Sequence, residues 1–189
     1  MEEQQIKKKE KDTSVRERQT FFRVTFKNNC NLLQIADNKA NMIISINALV
    51  ISSIIAIAGY GTVSDEIDLA GSKLILPIAL ILISCLTSTV LAVQAAKPKI
   101  IDKNKDFQNK GKASLLFFGE VANYSLPQYL TEVEKILPNQ KEINEQMSIA
   151  VYYQGKVLKS KYNLLGYAYN IFLMGIVFGV MVFLIYLFS

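Results

Sequence analysis

The sequence predicts an all-α integral membrane protein with three transmembrane helices and a small helical cytoplasmic segment between the second and the third. Two observations predict this class. Apolar residues are concentrated in three blocks that contain no charged residue, and each block can cross a hydrocarbon core of about 30 Å when its flanking residues contribute. Soluble helices are usually amphipathic, so three buried helices of a soluble bundle are the less favoured interpretation.

The first helical region is predicted for residues 21–96 and follows a charged segment. Residues 1–20 are rich in Lys, Glu, Gln and Arg, which predicts a disordered tail or a frayed helix. Beyond this segment apolar residues recur at helical spacing, which predicts an amphipathic lead-in helix that continues into a first span at about residues 41–59. A second span at about residues 74–95 completes a transmembrane hairpin.

The last two regions are a cytoplasmic helical segment, residues 97–165, and a third transmembrane helix, residues 166–189. Ser125 has the residue type of an N-cap, for a helix that ends before Pro138. A second helical pattern begins near Lys141, and no Gly/Pro pair interrupts it before the third span. The pattern therefore predicts a cytoplasmic helix that is continuous with the third span.

Positive charge predicts the orientation of the chain in the membrane. Of the 21 Lys and Arg residues, 9 lie in residues 1–40, 11 in residues 97–165 and one, Lys73, between the first two spans. Lys and Arg are enriched in cytoplasmic segments, so we expect the N-terminus and residues 97–165 in the cytoplasm and the C-terminus on the opposite side. No apolar segment follows the initiating Met, and we expect no cleavable signal peptide.

One face of the first span carries polar side chains at helical spacing. Asn38, Ser45 and Ser52 are seven residues apart and Asn41 lies beside them, so the four form a polar stripe about 60° wide. Polar groups are costly in lipid, so the stripe is expected to face another helix or a water-filled path. Interhelical hydrogen bonding is the favoured interpretation, and a water-filled lining is compatible with it. Asn47 lies roughly opposite and is expected to need a separate partner, such as another subunit.

The third span contains a GxxxG motif, Gly175-Ile-Val-Phe-Gly179. Glycines at this spacing let two helix backbones approach closely. The motif is common in spans by chance, so close helix packing is the only role that it predicts for Gly175 and Gly179.

Two groups in the cytoplasmic segment have the chemistry of a ligand site. Phe117, Phe118 and Gly119 combine two aromatic rings with a flexible glycine, a combination that can stack on a flat base. Lys156 and Lys159 share a helix face and can meet a phosphate. The pattern alone favours a small core for the first group and plain anchoring of the span for the second, and ligand binding is the alternative.

The sequence contains no recognisable catalytic or metal-binding pattern. It has no histidine, which removes the commonest general base and metal ligand, and its two separated cysteines cannot form a zinc signature. It has no nucleophile elbow, phosphate-binding loop or dinucleotide-binding loop. We therefore expect no enzyme and no cofactor. Because the basic residues flank hydrophobic spans, membrane lipid is expected as a partner instead of a nucleic acid polymer.

Three stretches of the sequence resemble one protein family. They are LLQIADNKANMIISINALVIS (Leu32–Ser52), SLLFFGEVANYSLPQYL (Ser114–Leu130) and QGKVLKSKYNLLGYAYNIFLMG (Gln154–Gly175). They are similar to segments of the transmembrane effectors of Pycsar, a bacterial antiphage system. The stretches span most of residues 21–188 in the expected order, and the ADxKA core with its following Asn is fairly specific.

The resemblance implies a function that periodicity does not show. In such systems a separate cyclase makes cyclic UMP or cyclic CMP on infection. The membrane effector responds to this signal, the inner membrane is impaired, and the infected cell dies before phage matures. The resemblance therefore implies a bacterial inner-membrane protein whose ligand is a cyclic pyrimidine nucleotide. A chain with three spans cannot enclose a wide pore alone, so a homo-oligomer is expected.

The matched motifs contain the candidate residues for sensing or for the coupling interface. On the resemblance these are Asp37, Lys39 and the Phe117–Gly119 segment. An effector of a related cyclic-oligonucleotide (CBASS-type) defence system is the alternative function, and a non-signalling membrane scaffold or a small transporter subunit is a further one. Transporters usually show internal repeats or charges within their spans, and the sequence shows neither.

Overall fold

The computed structural model describes four stretches of the chain, and these confirm the predicted all-α class. No strand occurs among the described residues, 2–63, 74–98, 114–116 and 121–188. They form four helices: α1 (Glu2–Val63), α2 (Ile75–Ala96), α3 (Leu126–Ile136) and α4 (Gln140–Phe188). Three of the helices, α1, α2 and α4, contain a segment long and apolar enough to cross a membrane.

Helix α1 begins much earlier than the sequence predicts. It is continuous from Glu2 to Val63, so residues 2–20 are helical where a disordered tail or a frayed helix is expected. Glu, Gln, Lys and Arg are all good helix formers, and extending an existing helix costs far less than nucleating a new one. The charged segment can therefore be helical without a nucleus of its own.

The shorter helices begin and end where local chemistry predicts. Ser125 precedes α3, and its backbone N–H donates a hydrogen bond of 3.1 Å to the Gln128 side chain, one arm of a capping box. Helix α3 ends at Ile136, just before Pro138, which cannot continue a helix because it lacks an N–H. In α2, Pro77 is in the first turn, where an N–H would have no intrahelical acceptor.

The chain divides into two compact units. The first unit consists of Met1–Leu33 with Pro98–Lys159, and the second of Gln34–Lys97 with Ser160–Ser189. Helices α1 and α4 contribute residues to both units, whereas α2 belongs to the second unit and α3 to the first. The candidate spans of the sequence fall largely in the second unit.

The core of the second unit is built from small side chains. Ala36 and Ala40 of α1, Ala95 of α2 and Leu165 of α4 form one buried cluster, and Ile43, Ala92 and Ala168 form the next. Alanine at a helix contact lets two backbones approach closely, which gives van der Waals packing where lipid removes the hydrophobic driving force. The three spans are therefore held together by close backbone contact.

Large apolar side chains of the second unit point outward. In α2, Ile83, Leu86 and Val90 are each more than half exposed, and in α1 Leu49 is 69% exposed. In water such a surface would be an aggregation hazard. A hydrocarbon environment reverses this cost, so the distribution fits helices that face lipid on the outside and small residues on the inside.

The first unit packs around the beginning of α4. Gln146 holds the segment 114–116 through two hydrogen bonds. Its carbonyl accepts from the Ser114 hydroxyl at 2.9 Å, and its side-chain oxygen accepts from the Leu115 N–H at 2.8 Å. In α1, Cys30 Sγ accepts a hydrogen bond of 3.5 Å from the Gln154 amide of α4.

Candidate functional site

An ion pair joins α1 to α4 at the charged end of the first span. The Lys161 ammonium is paired with the Asp37 carboxylate. The Lys161 side chain is only 8% exposed, whereas Asp37 is 46% exposed. Ala36 and Ala40 flank Asp37 and pack against Leu165, which explains how an α1 carboxylate reaches an α4 lysine. A buried ammonium needs such a counter-charge because its desolvation is costly.

Lys39 contributes to the same junction through two contacts with α4. Its Nζ lies 5.8 Å from the centroid of the Tyr162 ring, within the range of a cation–π interaction. Its backbone carbonyl accepts a hydrogen bond of 3.1 Å from the Tyr169 hydroxyl. We call Asp37, Lys39, Lys161, Tyr162 and Tyr169 the entry cluster. The predicted candidates Asp37 and Lys39 therefore share one site.

A chain of hydrogen bonds crosses all three spans deeper in the second unit. The Asn47 amide of α1 donates to the Ser88 hydroxyl of α2 at 3.0 Å, and this hydroxyl donates to the Ala168 carbonyl of α4 at 2.8 Å. Asn47 and Ser88 are fully buried. Asn47 thus has the separate partner that its position predicts, and for its amide donor this partner lies in its own chain instead of in another subunit.

The polar stripe of α1 lies on the other side of that helix. Asn38, Asn41, Ser45 and Ser52 are all exposed, and among the described residues no helix of this chain covers them. The Ser45 hydroxyl donates to the Asn41 carbonyl one turn earlier, at 2.9 Å, which satisfies it within α1. The part of the chain that the structure describes therefore contains no helix that serves as the partner of the stripe.

The GxxxG glycines lie against α2. Gly175 and Gly179 are buried. A methyl group added at Gly175 would overlap the Ser84 side chain, and one added at Gly179 would overlap Ile81. Both glycines therefore occupy points where α4 and α2 approach too closely for any side chain.

The remaining candidates belong to the first unit or lie outside the described residues. Lys156 Nζ is 5.3 Å from the centroid of the Tyr152 ring, and Lys159 is exposed. The first unit contains these two lysines, whereas the second contains the entry cluster. Phe117, Phe118 and Gly119 are not among the described residues.

Sequence reasoning misses the α4 half of the entry cluster. Lys161 is one of several lysines before the third span and by pattern only anchors it. It lies 124 positions from Asp37, so no local spacing connects the two residues. One signal was available: Asp37 is the only acidic residue between Glu17 and Asp65, and a lone carboxylate at the edge of a span requires a cationic partner.

The chemistry of these groups is that of packing, charge pairing and hydrogen bonding. Among the described residues, no three His, Cys, Asp or Glu side chains are grouped closely enough to hold a metal ion. The entry cluster joins α1 to α4 with one ion pair, one cation–π contact and one hydrogen bond.

One comparison with known proteins gives a match. The sequence model of the family described as the Pycsar effector protein domain (PycTM) matches residues 21–188. The matched part contains α2, α3, α4 and the larger part of α1. No curated protein and no solved structure matches the chain.

Proposed function

We propose a function from one premise: the chain belongs to the Pycsar effector family, whose model matches residues 21–188. We propose that it responds to cyclic UMP or cyclic CMP made by a partner cyclase. The response impairs the bacterial inner membrane, and the infected cell dies before new phage is released. The observation that carries the proposal is this family match over a chain with three candidate membrane spans.

The continuity of α4 supports a route from ligand to membrane. Helix α4 runs unbroken from Gln140 to Phe188 and contributes to both units. A ligand that prefers one position of the first-unit part of α4 shifts the equilibrium by its difference in affinity for the two states. We propose that the entry cluster is the coupling interface, because its contacts join α1 to α4 where charged residues give way to the spans.

A cellular experiment tests the response. The chain is expressed in a bacterium together with an inducible cyclase that makes only cyclic UMP or only cyclic CMP. One of the two cyclases is expected to cause uptake of propidium iodide and loss of colony formation, and an inactive cyclase variant is the control. An intact membrane at measured high levels of both nucleotides would refute the proposal.

Direct sensing requires a separate measurement on the purified protein. Calorimetric titration in nanodiscs with cyclic UMP and with cyclic CMP is expected to give saturable binding for at least one of them. A panel of cyclic oligonucleotides forms the second arm. Binding from that panel alone would assign the chain to a CBASS-type system, and a folded protein that binds neither class would exclude direct sensing by this chain.

We further propose that the polar stripe of α1 joins copies of the chain in the membrane. Four exposed polar side chains facing lipid would be unfavourable, whereas small polar residues at a helix–helix contact are stabilising. A cysteine at Ser45 is therefore expected to form a disulfide between copies under mild oxidation. Ile46→Cys is the matched control, because Ile46 is exposed at nearly the same depth and lies about 100° away around the helix.

The cross-linking is read as dimer on non-reducing gels, in a Cys30→Ser background. Cys85 is buried and stays in place. Ser45→Cys chains that remain monomeric, or that cross-link no faster than Ile46→Cys chains, would rule out this face as the contact.

A further inference from the structure

The first unit contains a groove that none of the sequence candidates lines. It has a volume of about 750 Å³ and lies between the α1 residues 16–27 and the α4 residues 147–151, with Leu116 at one side. Small-molecule sites in proteins typically measure about 300–1,000 Å³. The groove thus has the size of a ligand site and is formed from residues of the first unit alone.

The α1 wall of the groove is positively charged. Arg16, Arg23 and Lys27 line it and are exposed, and their spacing of seven and four residues places them on one helix face. No Asp or Glu lines the groove, and no described carboxylate forms an ion pair with any of the three. Three cations on one wall without a counter-charge among the described residues favour an anion, and guanidinium groups bind phosphate in a bidentate manner.

The floor of the groove is apolar and contains aromatic rings. Phe22 and Ala150 are buried, whereas Phe26 is 43% exposed. The exposed Phe26 ring, in a groove that Ala150 also lines, offers a flat apolar surface on which a planar ring can stack. Gln19 and Thr20 lie on the same wall and can hydrogen-bond to ribose or base edges. A purely anionic ligand such as inorganic phosphate would leave this surface unused.

We infer that this groove binds the nucleotide, with the phosphate against Arg23 and its two cationic neighbours and the base against Phe26. The inference rests on the proposed function for the identity of the ligand, a cyclic pyrimidine mononucleotide. The charge of the groove fits its single phosphate, and the exposed ring fits its single base. The groove also contacts α4 through Met147, Ala150 and Val151, so an occupied groove acts directly on the helix that continues into the third span.

Matched pairs of variants test the site in calorimetric titrations of the full chain in zwitterionic nanodiscs. Arg23→Gln is expected to weaken the affinity about tenfold, the loss of one strong charge-assisted contact. Its control is Arg18→Gln, an exposed arginine on the same helix outside the groove. Phe26→Leu is expected to weaken affinity several-fold, and its control is Phe21→Leu, which removes a ring that is 63% exposed and also outside the groove.

The outcomes distinguish a failure of the groove as the binding site from a failure of the proposed function. If wild type binds nucleotide and Arg23→Gln and Phe26→Leu bind like wild type, the groove is wrong and the proposed function stands. A Lys159→Gln variant that alone loses binding would move the phosphate site to the lysine pair of the sequence prediction. Wild type that binds neither nucleotide excludes direct sensing by this chain and overturns the groove as a nucleotide site, whereas the proposed response to the cyclase is decided by the cellular experiment.

Two further arms exclude misfolding and lipid. Lys27→Gln is a second groove variant, and all variants must keep the wild-type melting temperature, as expected for substitutions of exposed side chains. Vesicles with anionic headgroups offer the same phosphate chemistry as a nucleotide. If these vesicles bind through Arg23 and nucleotide does not displace them, the ligand of the groove is a lipid headgroup and the inference is overturned.

Discussion

At the scale of single residues, the two halves of the Asp37–Lys161 pair have unequal surroundings. Lys161 is almost entirely buried, whereas nearly half of the Asp37 side chain is exposed. Removing one partner of an ion pair costs most when the charge left behind cannot reach water. The two single substitutions are therefore not equivalent, although they delete the same contact.

We predict that Asp37→Asn destabilises the protein more than Lys161→Met. Asp37→Asn leaves a buried ammonium without its counter-charge and is expected to cost about 2–3 kcal/mol. Lys161→Met leaves a carboxylate that water can solvate and is expected to cost about 1 kcal/mol or less. The measurement is the midpoint of thermal unfolding in detergent, followed by helical circular dichroism.

The exposed pair Glu132–Lys135 supplies the control for this prediction. Its side chains are 40% and 63% exposed, so Lys135→Met is expected to shift the midpoint hardly at all. A larger loss for Lys161→Met than for Asp37→Asn would show that desolvation of the lysine does not govern the pair.

The buried Asn47 shows how far a hydrogen-bond partner can be predicted from the sequence. The polarity of Asn47 and its position within a span predict that it needs a hydrogen-bond partner. The identity of that partner, Ser88, follows only from the packing of α1 on α2. Small polar residues recur along the second span, at Ser84, Thr87, Ser88 and Thr89, and helix periodicity alone does not choose among them.

At the scale of elements, the glycines of α4 divide into two kinds. A methyl group at Gly175 would overlap Ser84, including the Cβ atom, which cannot swing away as a flexible chain end can. A methyl group at Gly166 meets nothing within 4 Å. The methyl group of an added alanine would thus clash with α2 at Gly175 and lie in open space at Gly166.

We predict opposite effects of Gly175→Ala and Gly166→Ala on stability. Gly166→Ala is expected to stabilise the fold by about 0.5–1 kcal/mol, because alanine has the higher helix propensity. Gly175→Ala is expected to destabilise it by about 1–3 kcal/mol, the usual cost of overpacking. Thermal unfolding of both variants in the same detergent gives the comparison, and a stabilising Gly175→Ala would contradict the close approach of α4 to α2.

Elements that depend on local pattern are the ones that sequence predicts well. The sequence predicts the second span at about residues 74–95, and helix α2 occupies Ile75–Ala96, because an uncharged run has few alternative structures in lipid. The continuity of α4 follows from the absence of any strong helix breaker after Pro138. The helical state of residues 2–20 is harder to predict, because composition shows only how little the segment can bury. A helix that is already formed at its end removes the need for a new nucleus.

At the scale of the whole molecule, the distribution of positive charge predicts the orientation of the chain in the membrane, and this prediction can be tested. We predict that Glu134 of α3 faces the cytoplasm and that Asp65, between the first two spans, faces the opposite side. Nearly all Lys and Arg lie on one side of the spans, and such residues are enriched in cytoplasmic segments. In a Cys30→Ser background, a membrane-impermeant maleimide should label Asp65→Cys in intact spheroplasts and Glu134→Cys only after lysis.

Labelling of Glu134→Cys in intact spheroplasts would show that the chain has the opposite orientation to the one predicted. It would also remove the first unit from the compartment in which a cyclase produces nucleotide. The proposed function therefore depends on this result, whereas the fold does not.

The candidate ligand site is the part of the molecule that could not be predicted from the sequence. Its two walls come from residues 16–27 and 147–151, which lie more than a hundred positions apart. Neither wall is unusual by itself, since α1 resembles an ordinary basic amphipathic helix there. The cationic and aromatic groups line one groove only because α1 and α4 lie side by side in the first unit.

The hydrogen bond between Gln154 and Cys30 has a practical consequence. Cys30 is exposed and Cys85 is buried, so a thiol-reactive fluorophore added to the folded wild-type chain should attach at a single position. That position touches α4 within the first unit. The natural protein therefore carries its own labelling position, and the emission of the attached dye is expected to respond when α4 moves against α1 near Cys30, without an engineered cysteine.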